Sequence, residues 1–364
     1  MRPTSTTPWA YVLLTGLLVS GDLGAGSLEP PGPPAPTMKT LQQVEARTPI
    51  SSLPITISTP GSYYLTGDLT GVSGQAGITI MTSYVTIDLN GFSLIGVGGS
   101  LDGINSSLSV LDHIVVRNGV IRNWGGRGLS STNTTEVHAE DLRLKGNGSD
   151  GLRVGWRSIV RNTTSSGNAG YGIYADIGSV VDGCTAATNA QGGFVIQGNS
   201  LVSHSTAMLH GSSFGFQISA SIATDCTAQQ NGSGFSMFAG GRVVHSLARA
   251  NVTGIFASDQ SQVEENLVES NTDIGIRMSN RGLARGNVVN VNTNTGIYGI
   301  TANQIDDNQM SLNGTGILVV GANNLIVNNT AIGNTTEYNI PAGNKAGPIS
   351  ADPTTASHWA NFDL

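Results

Sequence analysis

The stretch VEENLVESNTDIGIRMSNRGLARGNVVNVNTNTG, residues 263–296, contains most of two copies of one short pattern. Asn271 and Asn292 lie 21 positions apart, and so do Gly275 and Gly296. Internal repeats of about 20 residues predict a solenoid, in which each repeat forms one coil and buries its apolar face only against neighbouring coils.

Two columns of residues carry this period along most of the chain. A glycine followed by Ile, Leu or Phe recurs at Gly77, Gly103, Gly128, Gly151, Gly172, Gly193, Gly215, Gly234, Gly254, Gly275, Gly296 and Gly316. Asparagines keep the same register, with His210 in the single gap, at Asn123, Asn147, Asn168, Asn189, Asn231, Asn251, Asn271, Asn292, Asn313 and Asn334. Asn tolerates left-handed backbone, and stacked amides can hydrogen-bond to one another. The second column therefore predicts an asparagine ladder at a turn.

Alternating apolar and polar residues around the ladder predict short strands. The expected inward column is Val160, Val181, Val202, Ala223, Val243, Val263, Ala284, Ile305 and Ile326. Phe194, Phe216 and Phe235 follow the glycine in three consecutive coils, so we expect their rings to stack in the core. We predict an all-β fold, a right-handed parallel β-helix of about 12 coils with an N-terminal and a C-terminal cap.

The two cysteines test this register. Cys184 and Cys226 occupy the same column two coils apart, which separates their strands by about 9–10 Å. A disulfide needs Cα atoms within about 7 Å. We therefore predict two separate, buried thiols.

The chain divides into five predicted segments. Arg2, the mostly apolar residues 9–19 and the small residues 24–26 predict a signal peptide over residues 1–26, and so secretion or a place on the cell surface. A Pro-rich linker is expected over residues 27–37, followed by an N-terminal cap with the first strands over residues 38–76. The repeats occupy residues 77–340, and residues 341–364, with Trp359 and Phe362, are expected to fold over the last coil as a C-terminal cap.

Composition excludes some classes of partner. The 364 residues carry 17 basic and 24 acidic side chains, a formal charge of −7, which disfavours nucleic-acid binding. The apolar stretch near the start is shorter than the roughly 20 residues that span a bilayer, and no later segment is long and apolar enough. We predict no membrane span.

Three stretches carry a resemblance to a known family: TISTPGSYYLTGDLTG (residues 56–71), VTIDLNGFSLIG (85–96) and HIVVRNGVIRNWGGRGL (113–129). With the iterated coils, they resemble bacterial right-handed β-helix proteins of the pectin-lyase-like superfamily. The resemblance covers roughly residues 38–364 and implies the fold. That superfamily includes polysaccharide lyases, hydrolases and epimerases, and also phage spikes and adhesins, so the fold alone does not select an activity.

The catalytic signatures of the superfamily are missing from this sequence. Asp306-Asp307 is the only D-D pair, and no G-H-G or later R-x-K accompanies it. The D-P-H motif of the alginate-epimerase type is also absent. No residue inherits a catalytic role from the resemblance.

One outward column carries candidate catalytic residues. His204, Asp225, His245 and Glu265 occupy four consecutive predicted coils. Two histidines with two carboxylates can act as general acid and base on a glycan, or bind zinc. The outer two strands would lie roughly 14 Å apart, which argues against one metal site. The alternative is a polar stripe stabilised by cross-strand charge pairs. We predict no cofactor; zinc or calcium is left to experiment.

A basic segment carries candidate ligand-binding residues. Eight of the 17 basic residues lie in residues 117–161, with only four acidic ones. Such a region can hold an acidic polysaccharide by charge-assisted hydrogen bonds, and two nearby tryptophans can stack on sugars. The alternative is a solvated face with two capping tryptophans. The candidates are Arg117, Arg122, Arg143, Arg153, Arg161, Trp124 and Trp156.

Two functions remain open. The first is an exported protein that binds a polysaccharide, with an acidic glycan favoured, and either leaves it unchanged or modifies it. The second is a non-catalytic structural or adhesive protein of the cell surface or matrix. The regular coils, few charges and missing catalytic motifs weigh against catalysis.

Overall fold

The fold is given by a computed structural model that describes residues 46–106 and 110–364. The predicted signal peptide, the Pro-rich linker and the first part of the N-terminal cap lie outside the described residues. Residues 47–364 form one compact unit. Every element within the described residues is a strand or a turn, and none is a helix.

Each regular coil contains three short strands. In one coil these are Tyr171–Ala175, Val180–Asp182 and Thr185–Ala187, which we name the first, second and third strands. All three pair in parallel with the equivalent strands of the next coil, so the coils stack into a solenoid.

The first strands form a sheet of 14 strands, the first sheet. Its strands are Ile55–Ile57, Ile78–Ile80, Ile104–Asn105, Leu129–Ser131, Leu152–Val154, Tyr171–Ala175, Gly192–Ile196, Phe214–Ser219, Ser233–Phe238, Thr253–Ala257, Ile274–Asn280, Thr295–Thr301, Thr315–Val319 and Thr336–Asn339.

The second and third strands form a continuous sheet of 28 strands, the second sheet, because two long strands run through both positions. Its strands are Thr48–Ile50, Gly61–Leu65, Leu69–Thr70, Val85–Asp88, Ser93–Ile95, Leu111–Arg122, Thr134–Lys145, Ile159–Arg161, Thr164–Ser166, Val180–Asp182, Thr185–Ala187, Leu201–Ser203, Thr206–Met208, Ile222–Thr224, Thr227–Gln229, Arg242–Val244, Leu247–Arg249, Gln262–Glu264, Leu267–Glu269, Leu283–Arg285, Val288–Asn290, Gln304–Asp306, Gln309–Ser311, Leu325–Val327, Thr330–Ile332, Lys345–Ala346, Ile349–Ser350 and Asn361–Asp363.

The strand register confirms the predicted columns. Val181 pairs with Val160 on one side and Val202 on the other, and all three are fully buried. The stacked phenylalanine core is confirmed, with ring centroids 4.7 Å apart for Phe194–Phe216 and 4.9 Å apart for Phe216–Phe235. Cys184 and Cys226 are free and buried, as their spacing predicted.

The solenoid has about 14 coils, slightly more than the predicted dozen. The prediction counted coils by their glycines, and the first and last coils have a different residue at the glycine position. Register places Pro54 opposite Gly77 at the N-terminal end and Glu337 opposite Gly316 at the other.

A close backbone approach explains the glycine column. A Cβ added to Gly254 would lie 2.5 Å from the carbonyl oxygen of Gly275 and 2.8 Å from Nδ2 of Asn271. These distances are shorter than real Cβ contacts. The first strand can therefore pack against the asparagine ladder only where a side chain is missing.

The asparagine ladder is confirmed and is one of three within the described residues. Along the first ladder the side-chain amide of each asparagine, apart from Asn189 and Asn334, donates to Oδ1 in the following coil, as in Asn147 to Asn168 at 2.9 Å. A second ladder follows the corner between the second and third strands, with Asn266, Asn287, Asn308 and Asn329. A third ladder follows the corner between the first and second strands, with Ser158, Ser179 and Ser200 early and Asn303 and Asn324 late.

One part of the ladder prediction is wrong. The ladder residues do not hold the left-handed backbone; the residue just before each of them does. Thr188, Leu209 and Gln230 have φ of 54°, 62° and 57° and directly precede Asn189, His210 and Asn231. The side-chain amides of the ladder residues form hydrogen bonds, and the residue before each of them forms the turn.

Asn123 is therefore not a ladder residue. Its φ is 60°, and it is the exposed turn residue before Trp124. Trp124 takes the ladder position, and its backbone N–H donates to Oδ1 of Asn147 at 3.1 Å. The first ladder thus begins on a tryptophan.

The C-terminal end continues the ladders. The Asn334 amide donates to the Glu337 carboxylate, and Asn361 accepts from Asn329 at 3.0 Å. The final strand, Asn361–Asp363, pairs with Thr330–Ile332. Trp359 does not cover the last coil as expected, because 64 % of its surface is exposed.

Candidate functional site

The His–carboxylate column, His204, Asp225, His245 and Glu265, lies at the corner between the second and third strands. All four residues have left-handed backbone, with φ between 46° and 54°. Asn, Asp and His are enriched in this region of backbone space. The turn therefore accounts for part of the residue pattern that made this column a candidate.

Two hydrogen bonds between a histidine and a carboxylate organise the column. His245 Nε2 lies 2.6 Å from Glu265 Oε2, and His204 Nδ1 lies 2.8 Å from Asp182 Oδ1. The two imidazoles and Glu265 have more than half of their side-chain surface exposed. Water and counter-ions screen such exposed pairs.

Asp182 is a member of this site that the sequence did not indicate. It stands one residue before the corner in the preceding coil, where it also accepts a hydrogen bond from Ser203 Oγ at 2.8 Å. The hydrogen bond from His204 lowers the pKa of the Asp182 carboxyl, and the same contact raises the pKa of His204. Each of the two groups therefore stabilises the charged form of the other.

A shallow cleft of about 460 Å³ runs beside the column. Its lining includes Asp225, His245 and Glu265 of the column together with Thr227 and Leu267. Such a cleft offers hydrogen-bonding groups beside an apolar strip. Among the described residues, no group of three or more His, Cys, Asp or Glu side chains is placed to hold a metal ion.

The structure distributes the arginine candidates over three sides of the coil. Arg117 and Arg161 project from second strands, Arg122 and Arg143 from third-strand positions, and Arg153 from a first strand. Arg117 lies 3.5 Å from Asp88 and 3.9 Å from Glu140. These five side chains do not converge on one ligand.

The two tryptophan candidates also lie in different environments, one in the core and one at the surface. Trp124 is only 1 % exposed, and its Nε1 donates to the Leu94 carbonyl at 3.2 Å, so it cannot stack on a sugar. Its ring fills the space beside Gly71 and Gly77 in the core. Trp156 is 46 % exposed, in the turn between the first and second strands.

A different group of side chains forms an aromatic surface on the outside of the first sheet. We call Arg153, Tyr171, Tyr174 and Phe214 the aromatic face. The rings of Tyr171 and Phe214 stack at 5.9 Å with an angle of 26°, and the Tyr174 ring lies 6.5 Å from Tyr171. The Arg153 guanidinium lies 3.9 Å from the centre of the Tyr174 ring.

Two residues beneath the aromatic face hold it in place. Gly192 lies between Tyr171 and Phe214, and a Cβ there would come within 2.6 Å of the Phe214 ring. Asp150, whose side chain is 5 % exposed, binds Arg127 at 3.1 Å and Arg153 at 3.6 Å. It also accepts the backbone N–H of Tyr171 at 3.0 Å. The face is therefore preorganised.

A second aromatic group lies farther along the same outward column. Arg277 lies 5.7 Å from the centre of the Phe256 ring and 5.6 Å from that of Tyr298. Register connects Tyr174 to Phe256 through Val195, Gln217 and Ser236. At about 4.8 Å per strand, the two groups are roughly 19 Å apart along the solenoid.

Comparison with known proteins supports the fold. Residues 127–273 match the family model of the right handed beta helix region. No curated protein matches the chain in sequence. Within the described residues no helix is long and apolar enough to cross a membrane.

Several solved structures are similar to this chain. The A-module of the Azotobacter vinelandii mannuronan C-5 epimerase AlgE6 is similar at a TM-score of 0.50 and 12% identity, over 78% of this chain and 90% of that one. The catalytic domain of a GH87 alpha-1,3-glucanase with nigerose gives 0.47 and 12%, over 76% and 64%. A Geobacillus virus E2 protein, ORF18, gives 0.42 and 11%, over 75% and 56%.

At such identities, likeness to a solved structure shows the fold alone. The protein is a right-handed parallel β-helix, the fold that the sequence resemblance implied.

Proposed function

We propose that this β-helix protein binds a polysaccharide along the outside of its first sheet. The observation that carries the proposal is the aromatic face, where two stacked rings lie over Gly192 beside a third ring covered by Arg153. Rigid aromatic rings offer large apolar contacts at small entropic cost, and their edges keep polar groups available. Sugar rings have apolar C–H surfaces and polar hydroxyls that suit such a platform.

The arrangement suits an extended ligand. Arg153 and Tyr174 of the aromatic face share one outward column with the Phe256–Arg277–Tyr298 group, so a chain lying parallel to the solenoid axis would contact both groups. Val195, Gln217 and Ser236 lie in the column between the two groups. Their side chains are smaller, and they offer one amide and one hydroxyl to a ligand. The fold of the AlgE6 A-module, whose name places it among enzymes that act on mannuronan, is consistent with a glycan ligand.

Arginine side chains favour an acidic glycan. Arg153 and Arg277 are placed at the two aromatic groups, where carboxylates can accept charge-assisted hydrogen bonds. Asp150 neutralises part of the charge at the first group. We therefore expect moderate binding that weakens with salt.

The proposal is one of binding after export, with the predicted signal peptide directing secretion. Chemistry on the glycan would depend on the His–carboxylate column, which stands at the corner between second and third strands and not on the first sheet. Each of its histidines hydrogen-bonds to a carboxylate and is more than half exposed. A general acid or base tuned by burial is not found there.

The alternative function is a structural or adhesive rod. The observation that favours it is the regularity of the coils, which repeat at 19–22 residues from Gly151 onward without long loops. A protein of this kind would bind none of the glycans offered.

The test is a binding screen of the purified protein against acidic and neutral polysaccharides, with calcium, zinc or EDTA. Tyr174→Ala and Phe214→Ala should each lower affinity roughly three- to tenfold, since an aromatic contact contributes about 0.5–1.5 kcal/mol. Trp359→Ala is the matched control, because this ring is exposed at the far end of the solenoid. Arg153→Ala should reduce the salt dependence.

Mass spectrometry of the glycan after incubation separates binding from turnover. Unchanged glycan with the pattern of affinities above supports the proposal. Shortened, unsaturated or epimerised glycan would show catalysis, and loss of it in His204→Ala or His245→Ala would place it at the column. Binding to no glycan, or equal loss in the Trp359 control, would refute the aromatic face as a binding site.

A further inference from the structure

One pair of residues occurs twice in the outward column of the first sheet. Arg153 lies beside Tyr174 of the next coil, and Arg277 lies in the same way beside Tyr298. Each guanidinium faces the tyrosine ring, at 3.9 Å from the ring centre for Tyr174 and 5.6 Å for Tyr298. The arginine precedes the tyrosine in both cases. The second Arg–Tyr pair is therefore a translated copy of the first.

The two Arg–Tyr pairs lie six coils apart. The register makes six steps between their tyrosines, through Tyr174, Val195, Gln217, Ser236, Phe256, Arg277 and Tyr298. The two arginines are separated by the same six steps. At one strand spacing per coil, this distance is roughly 29 Å. A ligand that contacts both pairs must be a long chain that presents the same group twice, in the same direction.

Polar side chains line the surface between the two pairs. Gln217 and Ser236 stand in the column itself. Ser233 and Thr253 continue the neighbouring line that contains Phe214. All four of these polar residues are partly exposed. Their hydroxyl and amide groups can exchange hydrogen bonds with sugar hydroxyls along the interval between the pairs.

We propose that the two Arg–Tyr pairs are equivalent subsites for one unbranched acidic glycan whose sugars are joined through equatorial bonds, with one sugar over each coil. This inference rests on the proposed function and specifies its ligand. In such a chain each pyranose advances by nearly one strand spacing and is turned over relative to the sugar before it. Sugars an even number apart therefore carry their carboxylates on the same side. Because six is even, both pairs meet the same side of the chain.

The charges at the two subsites favour carboxylates on these sugars. Arg277 is exposed, and among the described residues it has no ion-pair partner. Arg153, by contrast, lies 3.6 Å from the Asp150 carboxylate. A guanidinium can bind a carboxylate through two parallel hydrogen bonds. We therefore expect Arg277 to contribute more of the charge-dependent affinity than Arg153.

The arrangement predicts how affinity depends on the length of the glycan. A tetrasaccharide covers only one Arg–Tyr pair, so two should bind weakly to each protein. An octasaccharide reaches over the eight coils from Arg153 to Tyr298 and should bind one to one. Because its second contact is intramolecular, its affinity should exceed that of the tetrasaccharide at least tenfold.

Isothermal titration calorimetry with oligomannuronates of four and eight sugars tests the proposal, because their linkages are equatorial. Oligogalacturonates of the same two lengths are the linkage control. Their axial linkages shorten the advance per sugar, so their affinity should rise less with length. One octamannuronate per protein, bound at least tenfold more tightly than tetramannuronate, supports the proposal. Two octamannuronates per protein, a smaller rise, or an equal rise with the galacturonates overturns it.

Tyr298→Ala tests the second subsite alone. It should lower the affinity for octamannuronate at least threefold and leave tetramannuronate binding at the first pair unchanged. Tyr84→Ala is the matched control, since this tyrosine is 61 % exposed and directly precedes a strand of the second sheet, Val85–Asp88. Equal losses in the two variants would contradict the second subsite.

The same titrations distinguish this inference from the proposed function. If tetramannuronate and octamannuronate bind with one affinity, the aromatic face remains a glycan-binding site and the paired subsites are refuted. If no glycan of either length binds, the proposed function fails and this inference fails with it.

Discussion

At position 210 an imidazole takes the place of the asparagine amide in the first ladder. Asn189 Nδ2 lies 3.4 Å from His210 Nε2, and His210 Nδ1 lies 2.8 Å from Asn231 Oδ1. A neutral imidazole protonated at Nδ1 accepts at the first contact and donates at the second, which is the pattern of an amide. Burial accordingly lowers the pKa of His210.

This histidine should make stability depend on acid pH. Because the pKa of His210 is lower in the folded state, the unfolded chain binds the proton more readily, and stability falls as pH drops below about 6.5. The slope from this residue cannot exceed about 1.4 kcal/mol per pH unit, the value for one proton. His210→Asn should remove that component in thermal unfolding measured between about pH 5 and 8.

His204→Asn is the control for this experiment. The pKa of His204 is raised by its hydrogen bond to Asp182, so His204 stabilises the fold at acid pH, and its loss should steepen the decline. An unchanged pH profile in His210→Asn would contradict the account of the ladder.

The ladder shows what can be predicted residue by residue. The asparagine column could be predicted because each side-chain amide hydrogen-bonds to the equivalent residue of the next coil. This requirement repeats asparagine at the interval of one coil. The error at Asn123 arose because the preceding turn position also accepts asparagine, and two adjacent columns can share a residue type. An asparagine at either of these two positions can therefore indicate a left-handed turn as well as a ladder hydrogen bond.

At the scale of elements, the ladders hold the coils in register. Asn271 donates from its backbone and side chain to Asn292 Oδ1 and also to the Ala248 carbonyl. Its own Oδ1 accepts from the backbone and side chain of Asn251. One buried side chain therefore takes part in four side-chain hydrogen bonds that cross between coils.

Asn271→Ala should be strongly destabilising. It leaves buried donors and an acceptor without partners, each at a cost of roughly 1–3 kcal/mol, so we expect a loss of at least about 3 kcal/mol in the free energy of unfolding. Urea unfolding followed by circular dichroism measures it. Asn294→Ala is the matched control, since this exposed amide binds only Asp273 in its neighbourhood. Equal losses in the two variants would contradict the role of the ladder.

The aromatic face was missed by sequence reasoning for a geometric reason. Gly172 and Ile173 are adjacent, yet Ile173 is fully buried and a Cβ on Gly172 would point at Asn189 and Ala186. Two consecutive inward positions break the alternation of a regular strand, which moves Tyr171 and Tyr174 to the same side. The second strands keep strict alternation, so their inward column was predicted correctly.

At the scale of the whole molecule, the stacking of coils determines where reactive groups can stand. Cys184 and Cys226 belong to the second ladder, and their backbone N–H groups bind Ser205 and Ser246 in the following coils. Burial raises the pKa of both thiols to about 12. Reaching either sulfur requires the separation of coils.

Both thiols should therefore stay unreactive until the solenoid unfolds. With Ellman's reagent at about pH 8 we expect no reaction in the native protein and two thiols per chain in denaturant. The onset of reaction should coincide with unfolding measured by circular dichroism. A thiol that reacts earlier would show that local opening of the coils precedes global unfolding.

The bonds between ladder side chains all point the same way: each amide donates to the side-chain acceptor of the following coil, towards the C-terminal end. The two ends of a ladder are therefore chemically unlike, one presenting an acceptor and the other donors. The first ladder starts at the Trp124 N–H and ends at the Glu337 carboxylate, and the second ladder ends at the Asn361 amide oxygen. Duplicating one regular coil within the stack would leave the contacts at both ends of the ladder intact. Each such duplication would lengthen the solenoid by one strand spacing. Removing coils from the C-terminal side would leave the last asparagine amide of the ladder without an acceptor, so a new one would have to be supplied. A lysine at that position could not supply it, because its ammonium group only donates hydrogen bonds.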